Sequence, residues 1–204
     1  MCEPIMFDES QRLKAQFSEL DVQSLLSYLG DDPSREGLNE TPTRFLKALK
    51  HWFSGYGKNP AEVLKVFQDG ADGYNQMVFQ RDIPVWSHCE HHIAPFFGVC
   101  HVGYIPNKRI VGLSKLSRVV EIFSRRLQVQ ERITKQVADA LEEHLQPLGV
   151  GVVLECRHTC MESRGIEKAG AITVTSALRG VFHDEASARA EFLDFVKSGR
   201  NVRV

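Results

Sequence analysis

The stretch MVFQRDIPVW, Met77–Trp86, marks the point at which the chain changes from helical to β-type patterning. It is rich in valine, isoleucine and aromatic residues, as is FGVCHVGYI, Phe97–Ile105, and such composition is typical of strands. Before it, apolar residues recur at helical spacing, and Thr41-Pro42 is a typical helix start. We therefore predict an N-terminal helical segment over residues 1–70 and a second structural unit over residues 71–204.

The second unit contains further strands and helices. Val150–Met161 and Ala171–Phe182 have strand composition, whereas the residues between Ser114 and Pro147 carry apolar side chains at the spacing of two helices. A last helix is predicted over Glu185–Lys197. Two strand pairs that flank two helices predict an α+β fold, an antiparallel four-stranded sheet with two helices on one face. Because the other face and the sheet edges would lack cover, we expect a homo-oligomer.

The composition excludes several classes of protein. A net charge of −1 argues against a chain whose main partner is a nucleic-acid backbone. No apolar run approaches the ~20 residues of a membrane helix, and the N-terminus lacks the basic and apolar regions of a signal peptide. The five cysteines are too few for a disulfide framework. We expect reduced thiols, a cytoplasmic location, and neither a nucleic-acid nor a membrane partner.

Candidate metal ligands are concentrated in SHCEHH, Ser87–His92, and they recur in RHTC, Arg157–Cys160. If the first stretch were a strand, Cys89 and His91 would point to the same side. If it were a tight turn, Cys89 and His92 would converge instead. The second stretch ends a predicted strand, so its histidine and cysteine, two residues apart, would share a face.

The simplest hypothesis is a zinc ion held by Cys89, His92 and Cys160. Zinc accepts thiolate and imidazole ligands, and a catalytic zinc has three protein ligands and one open coordination position. His91 and His158 would then be unligated histidines beside that position. Since the pKa of histidine lies near working pH, both are candidate proton carriers.

A rival hypothesis is a closed structural zinc site in a binding or scaffold protein that has no turnover. His88 or His101 could supply the fourth ligand that such a site needs. Cys100 and Cys156 lie in predicted strands and are better explained as small buried hydrophobic residues.

Several separated motifs, taken in order, resemble those of one family. They are Cys89-Glu90-His91-His92, Gly103-Tyr104-Ile105-Pro106, Gly112-Leu113-Ser114-Lys115-Leu116-Ser117-Arg118, Val129-Gln130-Glu131-Arg132, His158-Thr159-Cys160 and Arg164-Gly165. Over about residues 35–196 the chain closely resembles GTP cyclohydrolase I. The resemblance implies the tunnelling fold, a ring-shaped homodecamer of two pentamers, and zinc as the cofactor. It also implies hydrolysis of GTP at C8 with formate release and rearrangement to 7,8-dihydroneopterin triphosphate, the first step of pterin and tetrahydrofolate biosynthesis.

The resemblance also assigns roles to single residues around the metal. It implies that Cys89, His92 and Cys160 are the zinc ligands, in agreement with the hypothesis from spacing. It implies that His91 and His158 are catalytic and transfer protons during ring opening and the later rearrangement. How the steps divide between the two histidines is left open.

A basic cluster at the start of a predicted helix is a candidate phosphate site. Backbone N–H groups at a helix start favour phosphate, although an ordinary solvated basic face is the simpler interpretation of these residues alone. The resemblance implies that Ser114 belongs to the catalytic residues. It implies triphosphate contacts for Lys115, Arg118, Arg164 and Arg44.

The next predicted helix begins with Gln130 and Glu131, and the resemblance implies that both bind substrate. A carboxylate such as Glu131 can accept the N1 and N2 hydrogens of guanine, whereas the alternative is an acid favoured by the helix dipole. Glu131 alone does not exclude a related enzyme that acts on another purine or pterin. We expect Glu90 to brace its loop, and we interpret Arg132 as a surface or intersubunit charge.

Two places depart from the family pattern. Val99 stands where the family has a lysine, and Glu162-Ser163 precede Arg164 where an apolar residue is expected. We expect the acid near Arg164 to reduce the positive field of that side chain. These departures concern substrate affinity and leave every metal and proton-carrier position unchanged.

Overall fold

The change of patterning near Met77 coincides with the start of the main sheet. The structure is a computed structural model, and it describes residues 17–68 and 73–198. The chain divides after Gly57 into two units with their own internal contacts. The predicted boundary between residues 70 and 71 lies outside the described residues, as do residues 1–16 of the predicted helical segment.

The described part of the N-terminal unit is helical, as predicted. Helix α1 spans Glu19–Tyr28 and α2 spans Thr41–Trp52, with 3-10 turns at Glu36–Leu38 and Ser54–Gly57. At the start of α1 the backbone N–H and the hydroxyl of Ser18, the N-cap residue, both donate to the Asp21 carboxylate at 2.7 Å. The Thr43 hydroxyl of α2 donates to Glu19 of α1. The two helices therefore contact each other through a polar pair of side chains.

The C-terminal unit contains six helices and seven strands among its described residues. Its helices are α3 Pro60–Val63, α4 Leu113–Ser124, α5 Gln130–Leu145, α6 Thr159–Glu162, α7 Val181–Asp184 and α8 Ala186–Ser198. Its strands are β1 Val66–Phe67, β2 Val78–Cys89, β3 Pro95–Ile105, β4 Ile110–Val111, β5 Leu127–Gln128, β6 Gly149–His158 and β7 Thr173–Gly180.

The main sheet has the strand order β5-β2-β3-β6-β7, and its four long strands are antiparallel neighbours. This confirms the predicted α+β fold with an antiparallel sheet. A fifth strand was not expected: β5 pairs in parallel with the end of β2, with Leu127 opposite His88 and Gln128 opposite Cys89. The short strands β1 and β4 form a separate antiparallel pair.

The strand predicted over Val150–Met161 extends further than the strand in the structure. Strand β6 ends at His158, and Cys160 lies in the short helix α6. The Thr159 hydroxyl donates to the Pro95 carbonyl oxygen at 2.6 Å, and the Ser163 N–H donates to the Thr159 carbonyl oxygen at 2.9 Å. These bonds turn the chain out of the sheet. His158 and Cys160 therefore do not lie on one strand face, and that prediction is wrong.

The main core lies between one face of the sheet and the helices α4 and α5, as predicted. Alternate residues of the strands contribute to it, for example Val85 of β2, Val102 of β3 and Val152 of β6, all with 0% exposure. Leu116 of α4 and Leu141 of α5 are equally buried. Each apolar side chain of this size stabilises the fold by about 1.5–3 kcal/mol when it is buried here instead of exposed to water.

The opposite face of the sheet is covered at one end, which corrects the expectation that it lacks a helix. Phe192 of α8 is fully buried and lies over Gly103 and Gly151. A Cβ atom at either glycine would lie within 2.9 Å of the Phe192 ring, so only glycine admits the helix this closely. The other end of this face stays open, with Trp86 60% and Val174 58% exposed. None of the helices described is long and apolar enough to span a membrane.

Candidate active site

The turn between β2 and β3 brings the first two candidate ligands together. The Cys89 N–H donates to the Ala94 carbonyl oxygen at 2.8 Å, and the Ile93 N–H donates back to the Cys89 carbonyl oxygen at 2.8 Å. Ile93 adopts a positive φ of 55°, which closes the loop. Of the two predicted alternatives, the structure therefore has the tight turn, in which Cys89 and His92 converge.

The distance to Cys89 does not separate the two neighbouring histidines. The Cys89 sulfur lies 3.6 Å from Nδ1 of His91 and 3.7 Å from Nδ1 of His92. The third residue decides, because ligand atoms of Cys89, His92 and Cys160 all lie within 4.8 Å of one another. His91 is outside this group, with 63% of its side chain exposed. The three residues could hold a metal ion, in the combination predicted from spacing.

The chemistry of this donor set suits a soft or borderline divalent ion such as zinc. Two thiolates and one imidazole are typical zinc ligands, and three protein ligands leave one position open. In the protein alone, burial and the neighbouring Cys89 thiol raise the pKa of Cys160. A bound cation reverses such a shift, because a coordinated thiol is deprotonated.

The proposed fourth ligands of a closed site lie elsewhere. His101 is 3% exposed, its ring stacks on Phe79, and its Nδ1 accepts a hydrogen bond from the Asp82 N–H at 3.3 Å. His88 is also buried, and burial lowers its pKa. Among the residues that the structure describes, neither histidine joins the metal group. The arrangement therefore favours an open site over a closed structural one.

His158 lies at the same end of the sheet as this group. Its Cα partner across β3 is Phe96, which pairs in turn with Ser87, two residues before Cys89. The His158 ring stacks on Phe96 with 4.6 Å between ring centroids, and its Nε2 lies 2.8 Å from Oε1 of Gln130. Burial lowers the pKa of His158, while the carboxylates of Glu131 and Glu162 oppose that shift. The imidazole is thus held in one orientation.

Glu90 braces the metal loop, and its partner was missed by sequence reasoning. Both carboxylate oxygens of Glu90 contact the Arg132 guanidinium, at 2.5 and 3.1 Å, and this pairing lowers the pKa of Glu90. The Glu90 N–H also donates to the Gln128 carbonyl oxygen at 3.0 Å. Arg132, interpreted from sequence as a surface or intersubunit charge, therefore ties α5 to the loop. Its place in the motif Val129-Gln130-Glu131-Arg132 was the one sequence feature that could have indicated such a role.

Two predicted substrate residues begin α5, as expected, but their exposures differ. Glu131 is exposed in the first turn of the helix. Gln130 is only 1% exposed, and both ends of its side-chain amide are hydrogen-bonded within the protein. In this structure, therefore, Glu131 is accessible to a ligand and Gln130 is not.

The predicted phosphate residues are distributed over three elements. Ser114, Lys115 and Arg118 lie in the first turns of α4, where Ser114 and Arg118 are exposed. Arg164 follows α6, and its Nη1 lies 3.2 Å from Nε2 of His92.

Arg44 belongs to the N-terminal unit, where it forms an ion pair with Glu40, the N-cap residue of α2. Its place in the substrate site stays a prediction.

The departure at Glu162 has a local explanation. Its carboxylate accepts two hydrogen bonds from Arg157, at 2.9 and 2.6 Å, and this pairing lowers its pKa. The charge of Glu162 is thus paired with Arg157 and not with Arg164, whose positive field it was expected to reduce. Val99 is half-buried on the partly open face of the sheet, opposite Glu155 of β6.

Comparison with known proteins agrees with this combination of residues. A family model described as GTP cyclohydrolase I matches residues 18–197. The chain belongs to the GTP cyclohydrolase I family. It is 57% identical to GTP cyclohydrolase 1 of Janthinobacterium sp. (strain Marseille), over 95% of this chain and 96% of that protein. It is 51% identical to the protein of the same name from Dictyostelium discoideum, over 88% of this chain and 77% of that protein.

A third relative is GTP cyclohydrolase 1 of Campylobacter jejuni, 50% identical over 89% of this chain and 95% of that protein. Matches of this extent confirm the family resemblance seen in the sequence motifs. They also confirm the prediction of an enzyme, a hydrolase with GTP cyclohydrolase I activity.

Proposed function

We propose that this chain is a zinc-dependent enzyme that hydrolyses GTP at C8. The products are formate and, after ring rearrangement, 7,8-dihydroneopterin triphosphate, which opens pterin and tetrahydrofolate biosynthesis. The observation that carries the zinc dependence is the convergence of Cys89, His92 and Cys160 within 4.8 Å. Zinc bound by these residues would supply Lewis acidity and an activated water molecule at neutral pH.

The two histidines outside the ligand set are the proposed proton carriers. His91 is largely exposed on the turn, so it can approach a bound purine and protonate a ring nitrogen. His158 is held by Gln130 and Phe96 at the same end of the sheet, so it can transfer a proton at a fixed position. A purely structural metal site would have no use for two such groups.

Substrate selection is proposed to fall to charged side chains outside the metal group. The Glu131 carboxylate can accept two hydrogens from the guanine edge, which adenine does not offer in the same pattern. Lys115, Arg118, Arg164 and Arg44 are the proposed triphosphate contacts, with Ser114 at the same helix start as a catalytic residue. Guanidinium groups suit phosphate because their fork of donors matches two oxygens.

The ring-shaped homodecamer of two pentamers and the tunnelling fold are proposed together. The partly open face of the sheet carries Trp86 and Val174, both more than half exposed, and β7 ends the strand order of the sheet. Such a face and such an edge favour association with further copies of the chain. Light scattering on the purified protein tests this, and a monomer mass would contradict it. A cytoplasmic location is part of the same proposal.

The direct test is incubation of the zinc-loaded protein with GTP. We expect one formate per GTP consumed and, after oxidation, a fluorescent pterin. ATP serves as the matched substrate control, because it carries the same triphosphate but lacks the guanine edge. Zinc-loaded protein that binds GTP and releases no formate would contradict the proposal.

A further inference from the structure

Gln130 occupies a buried position that connects α5 to the last two strands of the sheet. Its Nε2 lies 2.8 Å from the Leu154 carbonyl oxygen, 2.9 Å from the Thr173 carbonyl oxygen and 3.1 Å from the Thr175 hydroxyl. Its Oε1 lies 2.8 Å from Nε2 of His158. The side chain thus links the first residue of a helix, two strands and one proposed proton carrier.

The chemistry of its partners fixes which way the Gln130 amide points. Backbone carbonyl oxygens only accept hydrogen bonds, so the two at Leu154 and Thr173 require the amide nitrogen on their side. The opposite orientation would place Oε1 against both carbonyl oxygens at less than 3 Å.

The neighbouring threonines give the same orientation. The Thr134 hydroxyl donates to the backbone carbonyl oxygen of Gln130 at 2.9 Å. Because its one hydrogen is used there, the Thr134 oxygen accepts from the Thr175 hydroxyl in their 2.6 Å contact. The Thr175 oxygen is then left to accept from Gln130, in agreement with an amide nitrogen on that side.

This orientation determines the proton on His158. Because Oε1 of Gln130 only accepts, Nε2 of His158 must carry a hydrogen. The ring also stacks on Phe96, which restrains its rotation. We infer that Gln130 is a positioning residue that holds His158 as the Nε2–H tautomer, so that Nδ1 is the nitrogen that exchanges protons with the substrate. The tautomer follows from the contacts alone, whereas its catalytic use rests on the proposed function.

This inference replaces the substrate-binding role that the family resemblance implies for Gln130. A side chain that is 1% exposed and hydrogen-bonded within the protein at both amide ends is not accessible to a nucleotide. The carboxylate next to it, Glu131, is exposed and remains the proposed purine contact.

The test reads the tautomer directly, in zinc-loaded protein labelled with 15N-histidine and without GTP. His158→Asn identifies the signals that belong to this residue. In the unmodified protein we expect the long-range spectrum of neutral His158 to show a protonated Nε2 and an unprotonated Nδ1. The Nδ1–H tautomer, or a mixture of the two, would overturn the inference.

A substitution then tests whether Gln130 is responsible. Gln130→Met keeps the size of the side chain and removes the acceptor, so we expect a mixed tautomer. We expect kcat for GTP to fall about 10- to 100-fold, by analogy with the loss seen when the orienting partner of a metal-bound histidine is removed. KM should change little, because Gln130 is proposed not to touch the substrate. A raised KM with unchanged kcat would support a substrate contact instead.

The matched control is Thr175→Val, which removes a partner of Nε2 and leaves the Oε1 contact with His158 in place. We expect this variant to lose stability and to keep the Nε2–H tautomer. If it disturbs the tautomer as much as Gln130→Met does, general loosening explains the effect and the inference fails. A normal tautomer in protein that does not convert GTP would refute the proposed function while leaving the position of the proton established.

Discussion

The β2–β3 turn and the β6–α6 junction each supply part of the candidate metal group Cys89, His92 and Cys160, yet they are held in different ways. The turn carries His91 and His92, both exposed, and its brace is the ion pair between Glu90 and Arg132. The junction carries His158 and Cys160, both partly buried. There the orientation of the His158 ring comes from an uncharged network and an aromatic stack, while the ion pair of Arg157 with Glu162 joins the end of β6 to α6.

This difference separates two tasks. An exposed loop with a charged brace can adjust its side chains to a metal ion and a substrate, because few of its groups are desolvated. A buried amide network has no such freedom, since any partner that moves leaves an unsatisfied polar group. We therefore expect the turn to adapt during the reaction and the junction to serve as the fixed reference for proton transfer.

The largest expected effect follows from removing the ligand that joins the two regions. Cys160→Ala should abolish zinc binding, with a loss greater than the ~100-fold that an outer contact contributes. Metal analysis of the purified variant measures this. Cys156→Ala is the matched control and should keep its zinc, because that cysteine lies outside the metal group. Its thiol is 1% exposed, and burial, with the nearby Glu155 carboxylate, raises its pKa to about 12. Normal zinc content in Cys160→Ala would disprove the ligand assignment.

A second test compares the histidine of each region. His91→Ala should lower kcat by about 10²- to 10⁴-fold, the usual contribution of a general acid or base, while zinc content stays normal. His158→Ala should show a similar loss of turnover. Only His158→Ala should also lower the free energy of unfolding, by about 1–3 kcal/mol, because it leaves the buried Oε1 of Gln130 without a partner.

Kinetics, zinc analysis and urea unfolding of the two variants give the comparison. Loss of zinc from His91→Ala would mean that this residue, and not His92, is the ligand of the turn. Equal unfolding free energies would mean that the contact between Gln130 and His158 contributes nothing measurable to the fixed junction.

Much of this arrangement could be predicted from the sequence, because its signals are local. Strand composition and helical periodicity located the four long strands and both core helices. The tight turn was one of two alternatives that the spacing allowed, since a strand would have paired Cys89 with His91 instead of His92. The sequence could not place Cys160 on a helix, since the hydrogen bond from Thr159 to Pro95 joins residues far apart in the chain.

The features that could not be predicted from the sequence are those that depend on contacts between distant segments. Strand β5 has two residues, too few for any periodicity to appear. The ion pair of Glu90 with Arg132 joins two motifs that were each recognised, but neither motif shows which charge meets the other. The amide of Gln130 looks the same in sequence whether it faces a nucleotide or a buried histidine. Its burial, which only the fold determines, decides between them.

The smallest expected effect comes from the charged brace of the turn. Arg132→Ala removes an ion pair whose side chains are 44% and 31% exposed, so it should cost only about 0.2–1 kcal/mol of stability. Its effect on zinc affinity should be larger, about tenfold, because the Glu90 side chain would no longer anchor the loop that carries Cys89 and His92. Competition with a fluorescent chelator measures the affinity, at low and at high salt.

The control for this variant lies one turn further along the same helix. Lys135→Ala removes an exposed ion pair with Asp139 that does not involve the metal loop, so it should leave zinc affinity unchanged. High salt should weaken zinc binding in the unmodified protein and have less effect in Arg132→Ala, since screening acts on the pair that the variant already lacks. If both variants bind zinc as tightly as the unmodified protein, the turn is held by its own backbone hydrogen bonds, and the contrast between a charge-braced and an amide-braced region disappears.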